Sequence, residues 1–291
     1  MTELRFPFLA QRLFNVPLAI LPEKAEIIMA ALAERIGITR LMRDGRAVPL
    51  AYDFAGAEEL APAVEDRGYD RVGGVAVIAV RGTLVQRTGT LRPWSGMCGY
   101  DGLRQSLALA LDDPEVDAIV LDIDSPGGEV AGCFDLVDQV YAARAVKPIR
   151  AILAENAFSA AYALASAASS VSVPRTGGTG SVGVLALHVD WSRALADAGI
   201  SVTLVTYGAR KADGNEFQPL SEPALARFQA DIDRIGELFV DTVARNRNLA
   251  PSAIAGLEAA TFLGEAGVLA GLADRVAAPD DEFRRLLAEL G

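Results

Sequence analysis

The chain has 291 residues, 51% of them hydrophobic but only 7% aromatic, which points to a core of Ala, Val, Leu and Ile in one large domain or one domain with an appendage. Acidic side chains outnumber basic ones by 38 to 27, the net charge is −11, and no basic stripe is present. That balance argues against nucleic-acid binding, where phosphate neutralisation needs clustered Lys and Arg.

In chain order, Pro22 to Ile36 has the spacing of a helix, with Ala25, Ile28, Met29, Leu32 and Ile36 on one face. Residues 1–70 otherwise lack periodicity and read as an N-terminal helical appendage. From Gly73 strands and helices alternate. Val75–Val80 is a continuous apolar run that suits a buried strand, and Asp101–Leu111 a helix. Ala118–Ile123 is a second strand, stopped by Ser125-Pro-Gly-Gly128, and Glu129–Ala143 follows as a helix. Pro148–Leu153 is a third strand, then come a small-residue helix from Ser159 and a short strand near Val171–Val173. Val182–Val189 and Val202–Thr206 read as strands. A long helix from Glu222 to Asn246 carries Leu225, Phe228, Ile232, Ile235, Phe239 and Val243 at three–four spacing. This alternation predicts an α/β domain over 71–280 with a mainly parallel sheet, followed by a tail over 281–291.

Three features bear on location and cofactors. The opening has no apolar run long enough for a signal peptide, with Glu3, Arg5 and Arg12 interrupting it. Asn156 to Pro174 carries no charge, but five serines and many alanines make it a poor bilayer span, so a buried helix running into a strand is expected and no membrane anchor. Cys98 and Cys133 lie far apart without metal-ligand spacing and read as free thiols in a reducing cytosol; no metal or other cofactor is expected.

The candidate chemistry sits in three places. Asp124-Ser-Pro-Gly-Gly-Glu129 joins a strand to a helix; adjacent glycines let backbone N–H groups face a ligand, as an oxyanion hole needs, and a following helix N-terminus would add positive charge. An ordinary turn is the competing reading. Ser159 stands at a helix start, where a serine is either a cap or a nucleophile whose next amide, at Ala160, joins Gly128 in holding an oxyanion. Lys211, after the strand ending at Thr206, serves as a base only if it is desolvated, and Gly208-Ala209 leaves room for that packing. Gly178, Gly180 and Gly183 match G-x-G-x-x-G, but a strand rather than a helix is expected next, so a dinucleotide site is rejected in favour of a tight turn with Ser181 pointing inward. His188, the single histidine, is the other available base, or a structural residue.

Taken in order, Asp-Ser-Pro-Gly-Gly, the Ser159 segment, Gly180-Ser-Val-Gly-Val184, a lysine after a strand, and the closing Thr261-Phe-Leu-Gly-Glu-Ala266 resemble the serine–lysine peptidases of the signal peptide peptidase A (protease IV) family. The resemblance implies a ClpP/crotonase-like superhelix of ββα units. It implies Ser159 as nucleophile, Lys211 as base, Ser181 as the hydroxyl orienting the lysine, Gly128 and Ala160 as oxyanion donors and Gly127 as a substrate contact. Phe158-Ser-Ala-Ala161 departs from relatives that place glycines after the serine. Leu13–Ile27 and His188-Val-Asp-Trp-Ser192 are similar to the phage head-maturation branch. That branch implies an endopeptidase acting on capsid scaffold or portal proteins, in the host cytoplasm or the procapsid interior. Some bacterial members of the family, in which serine and lysine come from neighbouring subunits, imply a homo-oligomer, and no nucleic-acid or membrane partner is expected. A host oligopeptidase of the same family, a Ser159–His188 enzyme, and a non-proteolytic acyl-CoA binder or head-assembly protein are the alternatives.

Overall fold

A computed structural model describes residues 14–33, 41–43, 46–48 and 66–291. Its strands are β1 (Leu18–Ile20), β2 (Leu41–Arg43), β3 (Arg46–Val48), β4 (Asp70–Val72), β5 (Val75–Arg81), β6 (Thr83–Val85) and β7 (Met97–Gly99). They continue with β8 (Ala118–Ser125), β9 (Gly127–Glu129), β10 (Ile149–Ala157), β11 (Ser170–Val173), β12 (Gly178–Gly180), β13 (Thr261–Leu263) and β14 (Arg275–Val276). The helices are α1 (Pro22–Ala33), α2 (Tyr100–Asp112), α3 (Cys133–Ala143), α4 (Ala160–Ser166), α5 (Ser192–Asp197), α6 (Glu222–Arg247), α7 (Pro251–Ala255), α8 (Glu265–Leu269) and α9 (Pro279–Leu290). The chain divides into two units. The first comprises Met1–Leu18, Glu26–Tyr52 and Val184–Ile235; the second comprises Ala19–Ala25, Asp53–Gly183 and Gly236–Gly291.

The second unit is built on a six-stranded sheet ordered β14-β11-β10-β8-β5-β4. Every pair is parallel except β4 with β5. Its central strands are apolar throughout because both faces are covered. On one face Val75, Ala118, Val120 and Ile152 pack with Leu286 of α9. On the other, Ile78, Val80 and Leu121 meet Leu103 and Leu107 of α2, Leu136 and Val140 of α3 and Leu164 of α4 around a small apolar cavity. The residue numbers alternate in parity between the faces, the two-residue period of a strand. A second sheet, ordered β1-β9-β6-β7, and the antiparallel pair β12–β13 complete the unit. The part of α6 after Gly236 packs here, with Phe239 fully buried and edge-on to Phe134.

Several expectations change. The helix expected from Glu129 begins at Cys133, because Gly127–Glu129 is drawn into a ladder beside β6. The helix from Pro22 extends to Ala33; the rest of its expected span lies outside the described residues. No strand forms over Val202–Thr206, and over Val182–Val189 only single bridges form, at Leu185 and Leu187. Apolar alternation allows a strand, but a ladder needs a neighbour, and among the described residues none lies alongside Val202–Thr206. Residues 281–291 fall almost wholly within α9. Its Leu286 enters the core, and its buried Glu282 accepts hydrogen bonds from Arg150 at 3.2 Å and Arg275 at 3.3 Å. Among the described residues before 71, residues 19–25 and 66–70 fall in the second unit and the others in the first.

Candidate active site

In the second unit, β8 and β10 run parallel and end side by side, with Ala157 in register with Ser125. Past that point the Phe158 amide bonds the Ser125 carbonyl at 3.1 Å, and the chain turns sharply into α4 at Ser159. Ser159 takes φ 54° and ψ −122°, a conformation an L-residue adopts only under constraint, at a cost of about 1–3 kcal/mol. Its amide donates to the Gly180 carbonyl at 2.8 Å, and its carbonyl accepts from Ala163 at 2.9 Å. Its hydroxyl lies 3.4 Å from the Gly183 carbonyl and is almost fully enclosed. A strained serine between a strand and a helix is the turn that presents a nucleophilic hydroxyl in many hydrolases. Ala160, the first helical residue, has an amide with no acceptor within its own helix.

The diglycine lies beside this serine. Gly127 has φ 95°, and a methyl group placed on it would stand 3.0 Å from Ser159 Cβ. At Gly128 a Cβ would stand 1.8 Å from the Leu84 carbonyl oxygen, so only glycine lets β9 approach β6. The diglycine lies within β9 and α3 begins only at Cys133, so the helix does not open directly on the diglycine as expected. Ser125, which the sequence reading did not single out, fixes it. Its buried hydroxyl donates to the Gly82 carbonyl at 2.7 Å and accepts from the Gly127 amide at 3.2 Å. The signal was its place between strand and diglycine, but its two partners are distant or local backbone that spacing does not reveal.

Ser181 is the third member of this cluster. It follows Gly180 at the end of β12, has φ 55°, and its amide bonds the Ala260 carbonyl at 2.9 Å. The β12–β13 pairing thus ties the closing Thr261-Phe-Leu segment to the Gly180 carbonyl that holds Ser159. Behind α4, the Tyr162 hydroxyl donates to the Leu272 carbonyl at 2.9 Å, and Asp274 accepts from the Val171 amide at 2.6 Å and from Arg247 at 2.8 Å. Burial works against ionisation of Asp274, but these donors and the Arg247 charge override it and hold the carboxyl below its ordinary value.

Lys211 belongs to the first unit and is exposed on the turns between Gly208 and Asn215. The expected burial after a strand is absent there. The turn is nonetheless pinned: Asp213 pairs with Arg227, and the Gly214 carbonyl accepts from Asn15 at 3.0 Å. His188 Nδ1 lies 3.1 Å from Asn15 Oδ1, while its Nε2 is buried with no partner among the described residues. Cys98 and Cys133 are free and buried, and desolvation pushes both thiols up to about 12. Among the described residues no group of three or more His, Cys, Asp or Glu side chains is placed to hold a metal ion, and no helix is long and apolar enough to cross a membrane.

An α/β sheet that ends in a strained serine beside a diglycine cradle defines the class of serine hydrolases that work from a strand-to-helix turn. Residues 142–290 match the model of peptidase family S49, and the chain belongs to that family. It is 41% identical over 269 residues to the head-tail preconnector protein GP5 of Enterobacteria phage P21, covering 90% of this chain and 53% of that protein. It is 38% identical over 280 residues to the capsid assembly protease C of Escherichia phage lambda, covering 94% of this chain and 64% of that protein. Protease 4 of Haemophilus influenzae is 24% identical over 69% of this chain and 32% of its own length. The chain therefore spans between about half and two thirds of its phage relatives. A ClpP1 mutant from Listeria monocytogenes is similar in structure with a TM-score of 0.43, at 12% identity, over 69% of this chain and 90% of that one.

Proposed function

We propose that this protein is a serine endopeptidase that processes capsid-assembly proteins, such as scaffold or portal, during phage head maturation. Membership of peptidase family S49 and the phage relatives support the class. The observation that carries the site is Ser159, strained at φ 54° against the Gly127–Gly128 cradle. In this reading Ser159 Oγ attacks the scissile carbonyl carbon and its proton passes to neutral Lys211. The amides of Gly128 and Ala160 stabilise the oxyanion, and Gly127 contacts the substrate backbone. Lys211 returns the proton to the departing amine, and water then releases the acyl group from Ser159. Ser181 orients the lysine. Lys211 is exposed in a single chain, so its desolvation falls to a neighbouring copy in a homo-oligomer, the working form in this reading, with bound substrate completing it. Host cytoplasm or procapsid interior is the place of action.

The test is co-expression with candidate capsid proteins, comparing the unaltered chain with Ser159→Ala and Lys211→Ala and reading cleavage sites by mass spectrometry. Both variants should lose cleavage. Full proteolysis by either would remove that residue from the mechanism.

A further inference from the structure

An extended peptide substrate needs a free strand edge next to the nucleophile, where backbone hydrogen bonds supply affinity and alternate side chains supply selectivity. In the second unit β12 holds Ser159 from one side through the Gly180 carbonyl, and β9 passes beside it on the diglycine side, where a Gly127 Cβ would stand 3.0 Å from Ser159 Cβ. That edge is filled. The four-stranded sheet ends in β1, and β1 lies beside β9. The Leu21 amide donates to the Pro126 carbonyl at 3.1 Å, and the same Gly127 Cβ position is 2.2 Å from the Ala19 carbonyl oxygen. Ala19 and Ser159 thus approach one point from two sides. Ala19 is fully buried and Leu18 and Ile20 nearly so, while Ser159 keeps only 1% of its exposure.

Strand geometry agrees with pairing of this kind. Successive residues turn their backbone groups to opposite edges. The Leu21 amide points to the β9 side, where it meets the Pro126 carbonyl, so the Ala19 amide, two residues earlier on the same chain, faces β9 as well. An external peptide reaching the same serine meets an occupied edge and a covered hydroxyl.

We propose that the β9 edge is the peptide-binding site and that Leu18–Ile20 is its resident occupant, a strand of the chain itself that leaves before substrate pairs. The inference rests on Ser159 as the reacting centre. The occupant also defines the peptide class: an extended apolar segment whose residue opposite Gly127 is no larger than alanine, because the fully buried Ala19 already fills that place. In its occupied state the protein is latent.

The experiment separates occupancy from chemistry by working first in a Ser159→Ala background. A fluorescent peptide with the sequence of residues 15–21 is titrated onto that parent and onto the same chain carrying Ala19→Pro, which deletes the amide facing β9. Affinity should rise at least tenfold, and a peptide with phenylalanine in place of its alanine should bind at least tenfold more weakly. Ile20→Ala, which thins the buried apolar packing of β1 and spares the ladder, should shift affinity the same way by a smaller factor and serves if the proline variant fails to fold. Equal binding to parent and folded variants, or binding to none of them, overturns the proposal. With Ser159 restored, a serine-directed phosphonate should label Ser159 faster in Ala19→Pro, and the added peptide should slow it. If binding changes as expected but no variant labels at Ser159, the occupied edge stands and the nucleophile assignment falls.

Discussion

Ser125→Ala tests whether the diglycine cradle is held by one hydroxyl. The substitution removes a donor to the Gly82 carbonyl at 2.7 Å and an acceptor for the Gly127 amide at 3.2 Å, at a position only 1% exposed. Each backbone group left without a partner in a buried place costs about 1–3 kcal/mol. The longer contact to Gly127 contributes less, so the total loss should be about 2–3 kcal/mol. Urea denaturation of purified wild type and variant measures it, and the midpoint should fall with the slope unchanged. A second consequence is local. Gly127 loses the contact that fixes its amide, so peptidase turnover should fall by about tenfold, less than the ~10²–10³ lost when an oxyanion donor itself is removed, because the neighbouring Gly128 amide is loosened and not deleted. Substitution by threonine, which keeps the hydroxyl, should recover most of the activity if its added methyl is accommodated. A variant within about 0.5 kcal/mol of wild type, with unchanged turnover, would refute the account of the cradle.

The other predictions concern the frame around the site. Gly128→Ala would place a methyl 1.8 Å from the Leu84 carbonyl oxygen, backbone that cannot swing aside, so β9 and β6 must separate at a cost of about 3 kcal/mol or more, read as a lower unfolding midpoint. Cys98 and Cys133 are both raised by burial from 9 to about 12, so the folded protein favours the neutral thiols. Their contribution to stability is complete below pH 9 and is lost as pH rises toward 12; an aromatic disulfide reagent at pH 8 should detect no thiol in the native protein and two after unfolding. Asp274 runs the other way. Its lowered value stabilises the fold above the ordinary carboxylate range, and the contribution is lost as pH falls through the folded value, so the gap in stability between wild type and Asp274→Asn should narrow below pH 3.8.

Much of the frame was legible in the sequence, and the reason is local. Val75–Val80 and Ala118–Ile123 are apolar at every position because a central parallel strand is buried on both faces, and that pattern survives any placement of the chain. The segment holding Ser159 was equally readable, since small residues after a strand signal a tight turn into a packed helix. The same reasoning overreached at Val202–Thr206 and at Glu129. An apolar run records only that a strand is permitted; whether one forms depends on a neighbour, and neighbours come from remote parts of the chain.

The sequence by itself determined the α/β alternation, the position of the nucleophile candidate and the diglycine, because each is written in residue type within a few positions. Only the tertiary structure decided that Ser125 holds the diglycine through Gly82, that β12 holds Ser159 through the Gly180 carbonyl, and that Ala19 and Ser159 both close on Gly127. Those relations are backbone hydrogen bonds and close approaches between segments far apart in the chain. A backbone amide carries no mark of its residue type, so nothing in the letters discloses which carbonyl it will meet.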